Sequence, residues 1–461
     1  MSRTASPPPR LEGLVGLGRW GDGPHQESPR ACVGAHPSTP TAAASPPGAR
    51  ARRAGQRRRT SDIYFIFRPL SFDSPCQNSE SVEQGGGGES WCPGMGDAVR
   101  GALRGGGRTR PAAAHGRALP AGLAPHVPPE LSASAFLLTS GPEGAGGQAD
   151  VPVLFLRPLV SAPERDPQPA IVFLHGTGAS AADLWPWMTA VAARGICCLA
   201  VDARYHGSRG GGGRGAYEDA LVDAWRGSGE RPFLLDTVDD LLSLVLGWLS
   251  EQPGVDDSRI GMTGISLGGM MTVLATAADT RVAAAAPLIG TQGFAWAVDN
   301  RRYQARVASI PRVFAEAARS LNGNSAEVTP EVVAAVWDKL LPAMLETYDS
   351  EHCLPSVAPR PLCIVNGALD PRCPVEGLEG ALSAARERYA SLGKSSHFDC
   401  YFQSGIAHQC TKRMQAVATA WLLHWCGVET DPGYGAGGRD GARYLSESFV
   451  DWVEQNVLAG L

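Results

Sequence analysis

Gly264-Ile265-Ser266-Leu267-Gly268 is the feature that most narrows what this chain can fold into. It lies between an apolar run, Ile260 to Thr263, and a helix-like run, Met270 to Ala278, so the order is strand, sharp turn, helix. Small residues on both sides of Ser266 let a strand and a helix meet at a tight angle. They also allow the Ser itself a strained backbone conformation. Such a turn lifts a hydroxyl above the sheet edge and aims the first amide of the helix, that of Leu267, at any oxyanion forming beside it. The pattern predicts a nucleophile with a donor already in place.

A Ser hydroxyl is a poor nucleophile at neutral pH and needs a His to take its proton and a carboxylate to orient that His. Downstream, the strand-like run Pro361 to Val365 ends in Asn366-Gly367, and Asp370 follows on the loop before Pro374 stops regular structure. That is just beyond a strand's carboxyl end, where open α/β sheets carry their sites. The plainer reading, an Asp closing a turn before Pro371, stands beside it. Phe398 to Phe402 reads as a last strand, and Gln403 to His408 as the loop before a helix from about Thr411 to Trp425. His408 is therefore the candidate base. His397 precedes the strand at its wrong end, and His424 falls near the end of the helix, where packing is the expected role. Upstream, Pro169 to Leu174 is an apolar strand that ends in His175-Gly176-Thr177-Gly178. Glycines there let backbone amides turn toward a reacting oxygen. The amide of Thr177 is the expected second donor, with Gly178 the neighbouring alternative, and His175 is expected to hold the loop by side-chain hydrogen bonds.

His175-Gly176-Thr177-Gly178, Asp202-Ala203-Arg204-Tyr205-His206-Gly207, the Ser266 turn, Gly367-Ala368-Leu369-Asp370 and Gly405-Ile406-Ala407-His408 together resemble the α/β-hydrolase superfamily, over about Phe136 to Val428. Within it the chain is similar to the dienelactone-hydrolase, acetyl-xylan-esterase and prolyl-oligopeptidase-like branch. The Asp202 to Gly207 turn is like that of small bacterial esterases and their plant relatives. The resemblance implies acyl transfer to water: Ser266 attacks, His408 relays the proton, Asp370 orients His408, and Thr177 and Leu267 form the oxyanion hole. It implies no cofactor and no metal. Asp202 and Arg204 are expected to pair and brace the loop beside the site, with His206 a possible border of the substrate. The Gly- and Arg-rich run from Gly207 to Gly215 lacks the Lys-Ser/Thr of a P-loop and reads as a surface loop.

The expected fold is an α/β-hydrolase fold: a mainly parallel eight-stranded sheet with helices on both faces and a helical lid insert after the sixth strand. Ala135 to Leu138 and Val151 to Arg157 form a first hairpin, followed by strands near 170–174, 196–201, 259–263, 282–288, 361–366 and 398–402. A helix near Thr237 to Ser250, capped by Asp236 or Thr237, buries Leu241, Leu242, Val245, Leu246 and Leu249. The lid insert spans about 290–356, and its Phe294, Trp296, Tyr303, Phe314, Trp337 and Met344 either line an acyl pocket or form the insert's own core. Residues 1–128 read as a disordered Pro/Gly/Ala/Arg-rich leader and 129–428 as the hydrolase domain. Residues 429–461 read as a linker with a C-terminal amphipathic helix, whose Val450, Trp452 and Val453 dock on the domain or meet a partner.

A net charge of −5 argues against nucleic-acid binding by the folded domain. The leader, with Arg52-Arg53 and Arg57 to Arg59, is compatible with an organelle address, a nucleic-acid-binding arm or a functionless extension, and Met95 is a second candidate start. No apolar run reaches the roughly 18 residues a spanning helix needs. The 11 Cys are scattered, which favours a reducing compartment over a disulfide framework. The expected protein is cytoplasmic, or plastid or mitochondrial if the leader is a transit peptide. The expected activity is a serine hydrolase acting on a small carboxylic ester or thioester. The alternatives are a peptidase of the prolyl-oligopeptidase type and a non-catalytic small-ligand receptor on the same fold.

Overall fold

The structure, a computed structural model, describes residues 113–139, 147–159, 167–210, 214–227, 233–323, 325–435, 445–459 and 461. The expected leader up to residue 112, with its Arg runs, Met95 and the apolar stretch Ile63 to Phe67, lies outside the described residues, as do parts of the loop after Gly207 and of the linker before Leu445.

In chain order the strands and longer helices begin with β1 (Ala113–Arg117), β2 (Leu131–Thr139), β3 (Val151–Pro158), β4 (Gln168–Leu174), α1 (Trp185–Ala192), β5 (Cys197–Val201) and α2 (Arg214–Arg226). Then comes α3, whose α-helical ends Phe233–Asp239 and Leu246–Leu249 flank a π-helical turn, Asp240–Val245. Next are β6 (Val255–Ile265), α4 (Leu267–Ala278) and β7 (Val282–Leu288), then the insert helices α5 (Phe294–Asp299), α6 (Gln304–Val307), α7 (Pro311–Leu321), α8 (Pro330–Leu340) and α9 (Ser350–Val357). The chain closes with β8 (Leu362–Gly367), α10 (Glu379–Ser391), β9 (Phe398–Gln403), α11 (Lys412–Trp425) and α12 (Glu447–Asn456).

The sheet order is β1-β2-β3-β5-β4-β6-β7-β8-β9. β1, β2 and β3 run antiparallel up to the β3–β5 pairing, and every later pairing is parallel. All eight expected strands are present, but the sheet has nine. The additional edge strand, Ala113–Arg117, pairs with β2 and comes from residues expected to be unfolded leader, so the folded region starts well before residue 129. Its sequence, Ala-Ala-His-Gly-Arg, carries no apolar alternation. It is a strand because β2 offers an open edge for backbone pairing, which needs no side-chain pattern.

The central strands are buried on both faces, and their side chains sort by parity. Ala170, Val172 and Leu174 join one apolar cluster with α2, α3, α4, α10 and the insert, while Ile171 and Phe173 join a second with α1, α11 and α12. Helix α3 departs from expectation at its start. It is already helical at Phe233, so Thr237 sits inside it and bonds back to the Phe233 carbonyl instead of capping. The leucine stripe is buried as expected. In the insert, Phe294 and Phe314 meet Trp337 edge-on at 4.7 and 6.0 Å, and all three are buried together with Tyr303 and Met344. These aromatics form a core shared with α2 and α3. Helix α12 begins at its Ser446 cap and docks on α11: Val450 and Val453 are fully buried, and Arg413 binds Asp451, Glu454 and Glu447.

Candidate active site

The turn after β6 has the geometry its glycines predict. Ser266 sits at φ 56°, ψ −107°, outside the regions a side-chain-bearing residue favours, between the last residue of β6 and the first of α4. A Cβ on Gly264 would lie 2.5 Å from the Gly268 carbonyl, and one on Gly268 would lie 2.5 Å from the Leu174 carbonyl carbon and 2.8 Å from the His175 oxygen. Strand, helix and the end of β4 therefore meet backbone to backbone, and only Gly fits at both positions.

Ser266 Oγ lies 2.9 Å from His408 Nε2, and His408 Nδ1 lies 2.7 Å from Asp370 Oδ2. The carboxylate partner makes Nδ1 the protonated nitrogen, so Nε2 is left to accept from the Ser266 hydroxyl. Asp370 is 2 % exposed, and its other oxygen accepts the amides of Arg372 and Cys373 at 2.8 and 3.1 Å. The loops bearing Asp370 and His408 are tied by backbone bonds, from Ala368 to the Gln403 carbonyl and from Leu369 to the Ile406 carbonyl, both 2.9 Å. A Cβ on Gly367 would strike the Ala407 and Ile406 carbonyls, so this Gly permits the approach that brings the acid to the base. The sequence thus named three residues 38 to 142 positions apart that the fold brings into one hydrogen-bonded line.

Of the two expected oxyanion donors, Leu267 opens α4, so its amide has no carbonyl one turn back to bond within the helix. Thr177 follows Gly176, whose position packs against Ser266: a Cβ there would lie 3.7 Å from the Ser266 Cβ. His175 braces this loop. Its Nδ1 faces the Gly176 carbonyl at 2.8 Å, and its Nε2 accepts the Ala203 amide at 3.0 Å. Burial pushes the His175 pKa down, which suits a ring whose Nε2 must stay unprotonated to accept.

The Asp202 to Gly207 turn is built differently from expectation. Asp202 does not pair with Arg204; its carboxylate accepts the amides of Ala181 and Ser208 and the Ser208 hydroxyl, each at 2.8 Å. Arg204 instead forms a two-pronged pair with Asp240 at 2.9 Å for each prong and also reaches Asp236. Arg209 joins Asp240 from the other side at 2.8 Å. A two-pronged carboxylate partner outcompetes a neighbouring Asp already engaged by amides. Asp240 carries no local signal in the sequence: it opens the π-helical turn of α3 and is buried there. His206 is 1 % exposed and packs between the His175 and Tyr217 rings, so it is a core residue. Burial first, then the neighbouring His175, lower its pKa to about 4. His397 faces the Pro359 carbonyl, and His424 accepts the Asp431 amide; both are engaged away from Ser266.

Among the described residues one group has the donor set for a metal: Asp370, Cys373 and His408, with donor atoms within 4.8 Å of one another. Each already has a protein partner. Asp370 and His408 bond each other, and the Cys373 thiol donates to the Ile289 carbonyl. Burial and the adjacent Asp370 carboxylate hold that thiol well above its usual pKa, so it is not a ready metal ligand.

The alpha/beta hydrolase family profile matches residues 171–407, more than half of the chain and every part of this site except His408. The chain belongs to the alpha/beta hydrolase family. Its sequence is 25 % identical to esterase YjfP of Escherichia coli over 281 residues, which is 60 % of this chain and 96 % of that protein. Its fold is like that of acetyl xylan esterase 1 from Thermoanaerobacterium, with a TM-score of 0.51 at 15 % identity over 72 % of this chain and 92 % of that one. That likeness concerns the fold of the alpha/beta hydrolase domain. Among the described residues no helix is long and apolar enough to cross a membrane.

Proposed function

We propose that this alpha/beta hydrolase is a serine esterase that cleaves a carboxylic ester or thioester through an acyl-enzyme on Ser266. The observation that carries the reading is the line Ser266 Oγ to His408 Nε2 at 2.9 Å and His408 Nδ1 to Asp370 Oδ2 at 2.7 Å, seated on a strained nucleophile turn. Family membership and the likeness to a curated esterase support it.

In this reading Ser266 Oγ attacks the carbonyl carbon and its proton passes to His408 Nε2. The carbonyl becomes an oxyanion, held by the amides of Thr177 and Leu267. The intermediate then expels the alkoxide or thiolate, which leaves with the proton from His408, and Ser266 keeps the acyl group. Water repeats the sequence, giving up a proton to His408 and releasing the acid. Asp370, buried and already held by two amides, stabilises the imidazolium formed in each half. No step needs a metal or an organic cofactor. The insert of residues 290–356 is proposed to cover this site as a lid; its two ends are held together by Asp349, which accepts the amides of Phe294 and Ala295 at 2.9 and 2.8 Å.

A p-nitrophenyl ester series of increasing acyl length, run beside the matching anilides, tests the reading. The expected result is turnover of the esters with one preferred length, slower anilide cleavage, and loss of both in Ser266→Ala. Cleavage of anilides faster than esters would move the assignment to a peptidase, and binding without turnover would move it to a ligand receptor.

A further inference from the structure

Arg306 is a charged side chain of the insert buried against the loop that carries the catalytic acid. It lies in α6, is 3 % exposed, and its guanidinium sits over the Phe294 ring at 4.4 Å. Its Nε donates to the Arg372 carbonyl at 2.6 Å. Arg372 is the middle of the turn whose amides, with that of Cys373, hold Asp370 Oδ1. Nη2 of Arg306 is buried with no acceptor among the described residues. The charged and titratable groups acting on it are Cys373 and Asp370 from the acid loop and Asp349 from the start of α9. Those facing His408 are Asp370, which binds it, and Cys373.

A buried guanidinium with an unmet donor and no two-pronged carboxylate partner costs the fold free energy. An unbranched apolar side chain would fill the space over Phe294 without that cost. The charge is useful only in what it does to its neighbours, and the neighbour it grips is the turn that aims Asp370.

We propose that Arg306 is a positioning residue for the acid–base pair: its guanidinium fixes the Asp370 to Cys373 turn through the Arg372 carbonyl and places a positive charge beside Asp370. This ties the seating of the insert to the alignment of Asp370 and His408. An insert that lifts away withdraws both the hydrogen bond and the charge. The inference rests on the serine-esterase reading above.

Arg306→Met keeps the length and the packing on Phe294 but removes charge and donor. Arg306→Lys keeps the charge and loses the planar fork. Each is compared with the full-length wild type on p-nitrophenyl acetate from pH 5 to 9, with rates counted per site titrated by a fluorophosphonate and folding followed by thermal unfolding. The expected result for Arg306→Met is kcat/KM lowered by about 10²-fold, the cost of misplacing reacting groups by about 1 Å. KM should change little, and the acid limb of the rate profile should move to higher pH, because removing a positive charge makes it easier for the pair to take up a proton. Arg306→Lys should restore the acid limb while kcat stays below wild type. A wild type that neither labels nor turns over would sink the esterase reading itself. A working wild type with an Arg306→Met variant that keeps both its rate per site and its acid limb, whatever its melting temperature, would overturn the role of Arg306. If Arg306→Met does not fold, Arg306→Lys decides: a rate per site equal to wild type overturns the need for the guanidinium.

Discussion

Gly268→Ala should damage the site through the backbone, without touching a catalytic side chain. The new Cβ would lie 2.5 Å from the Leu174 carbonyl carbon and 2.8 Å from the His175 oxygen, with the Leu174 oxygen nearer still. None of these atoms is the end of a flexible side chain, so the first turn of α4 and the end of β4 must separate by about 1 Å to reach ordinary contact. Overpacking of this kind costs about 1–3 kcal/mol, and rigid backbone on both sides puts this case at the upper end. At about 2 °C per kcal/mol for a domain of this size, the melting temperature should fall by about 6 °C. The loop that moves, Leu174 to Thr177, carries one proposed oxyanion donor, and the helix carries the other. A 1 Å displacement between them should lower kcat/KM for a p-nitrophenyl ester by about 10²-fold. Gly215→Ala is the control. It lies in α2 at an ordinary φ, and its Cβ would meet nothing within 4 Å, so it should leave activity unchanged and raise stability slightly. Thermal unfolding by circular dichroism and ester hydrolysis read both variants. A Gly268→Ala protein with wild-type melting and wild-type rate would refute the argument that backbone contact at this turn sets the site.

Asp370→Asn should keep the fold and lower kcat by about 10⁴-fold with little change in KM, because the Asn amide favours the wrong His408 tautomer; steady-state ester kinetics check it. His206 stays neutral in the folded protein down to about pH 4, whereas in the unfolded chain it takes up a proton near 6.5. The unfolded state therefore binds more protons between those values, and stability falls as pH drops through that window, by on the order of 3 kcal/mol. His206→Gln should flatten the dependence of melting temperature on pH between 6.5 and 4 relative to wild type. Phe314→Ala should cost about 3–5 kcal/mol and lower one shared unfolding transition, since the insert's core is continuous with α2 and α3; a separate early melting step for the insert would contradict that continuity.

What the sequence disclosed and what it hid divide along a physical line. The triad candidates were legible because each needs a residue type at the end of a strongly patterned strand, and glycines mark the three close approaches at Ser266, Gly176 and Gly367. Along β4 the two faces sort by parity, Ala170, Val172 and Leu174 to one cluster and Ile171 and Phe173 to the other. The edge strand β1 was hidden because backbone pairing to an open edge asks nothing of side chains. The partner of Arg204 was hidden because a two-residue spacing suggests Asp202, while the real partner, Asp240, is turned inward by a π-helical turn 36 residues away. Arg306 was hidden among the exposed cations of a helical insert. Its burial depends on how the insert folds back onto the loop after β8, and no local pattern encodes that long-range contact.

Ser266 is proposed as an acyl-accepting nucleophile activated by His408. The most direct measurement is the intact mass and peptide map of the full-length protein after a fluorophosphonate, beside Ser266→Ala and His408→Ala. One adduct per chain is expected on the Ser266 peptide, with no adduct in Ser266→Ala and labelling slowed by several orders of magnitude in His408→Ala. An adduct that persists in Ser266→Ala, or a folded wild type that takes up none, would contradict it.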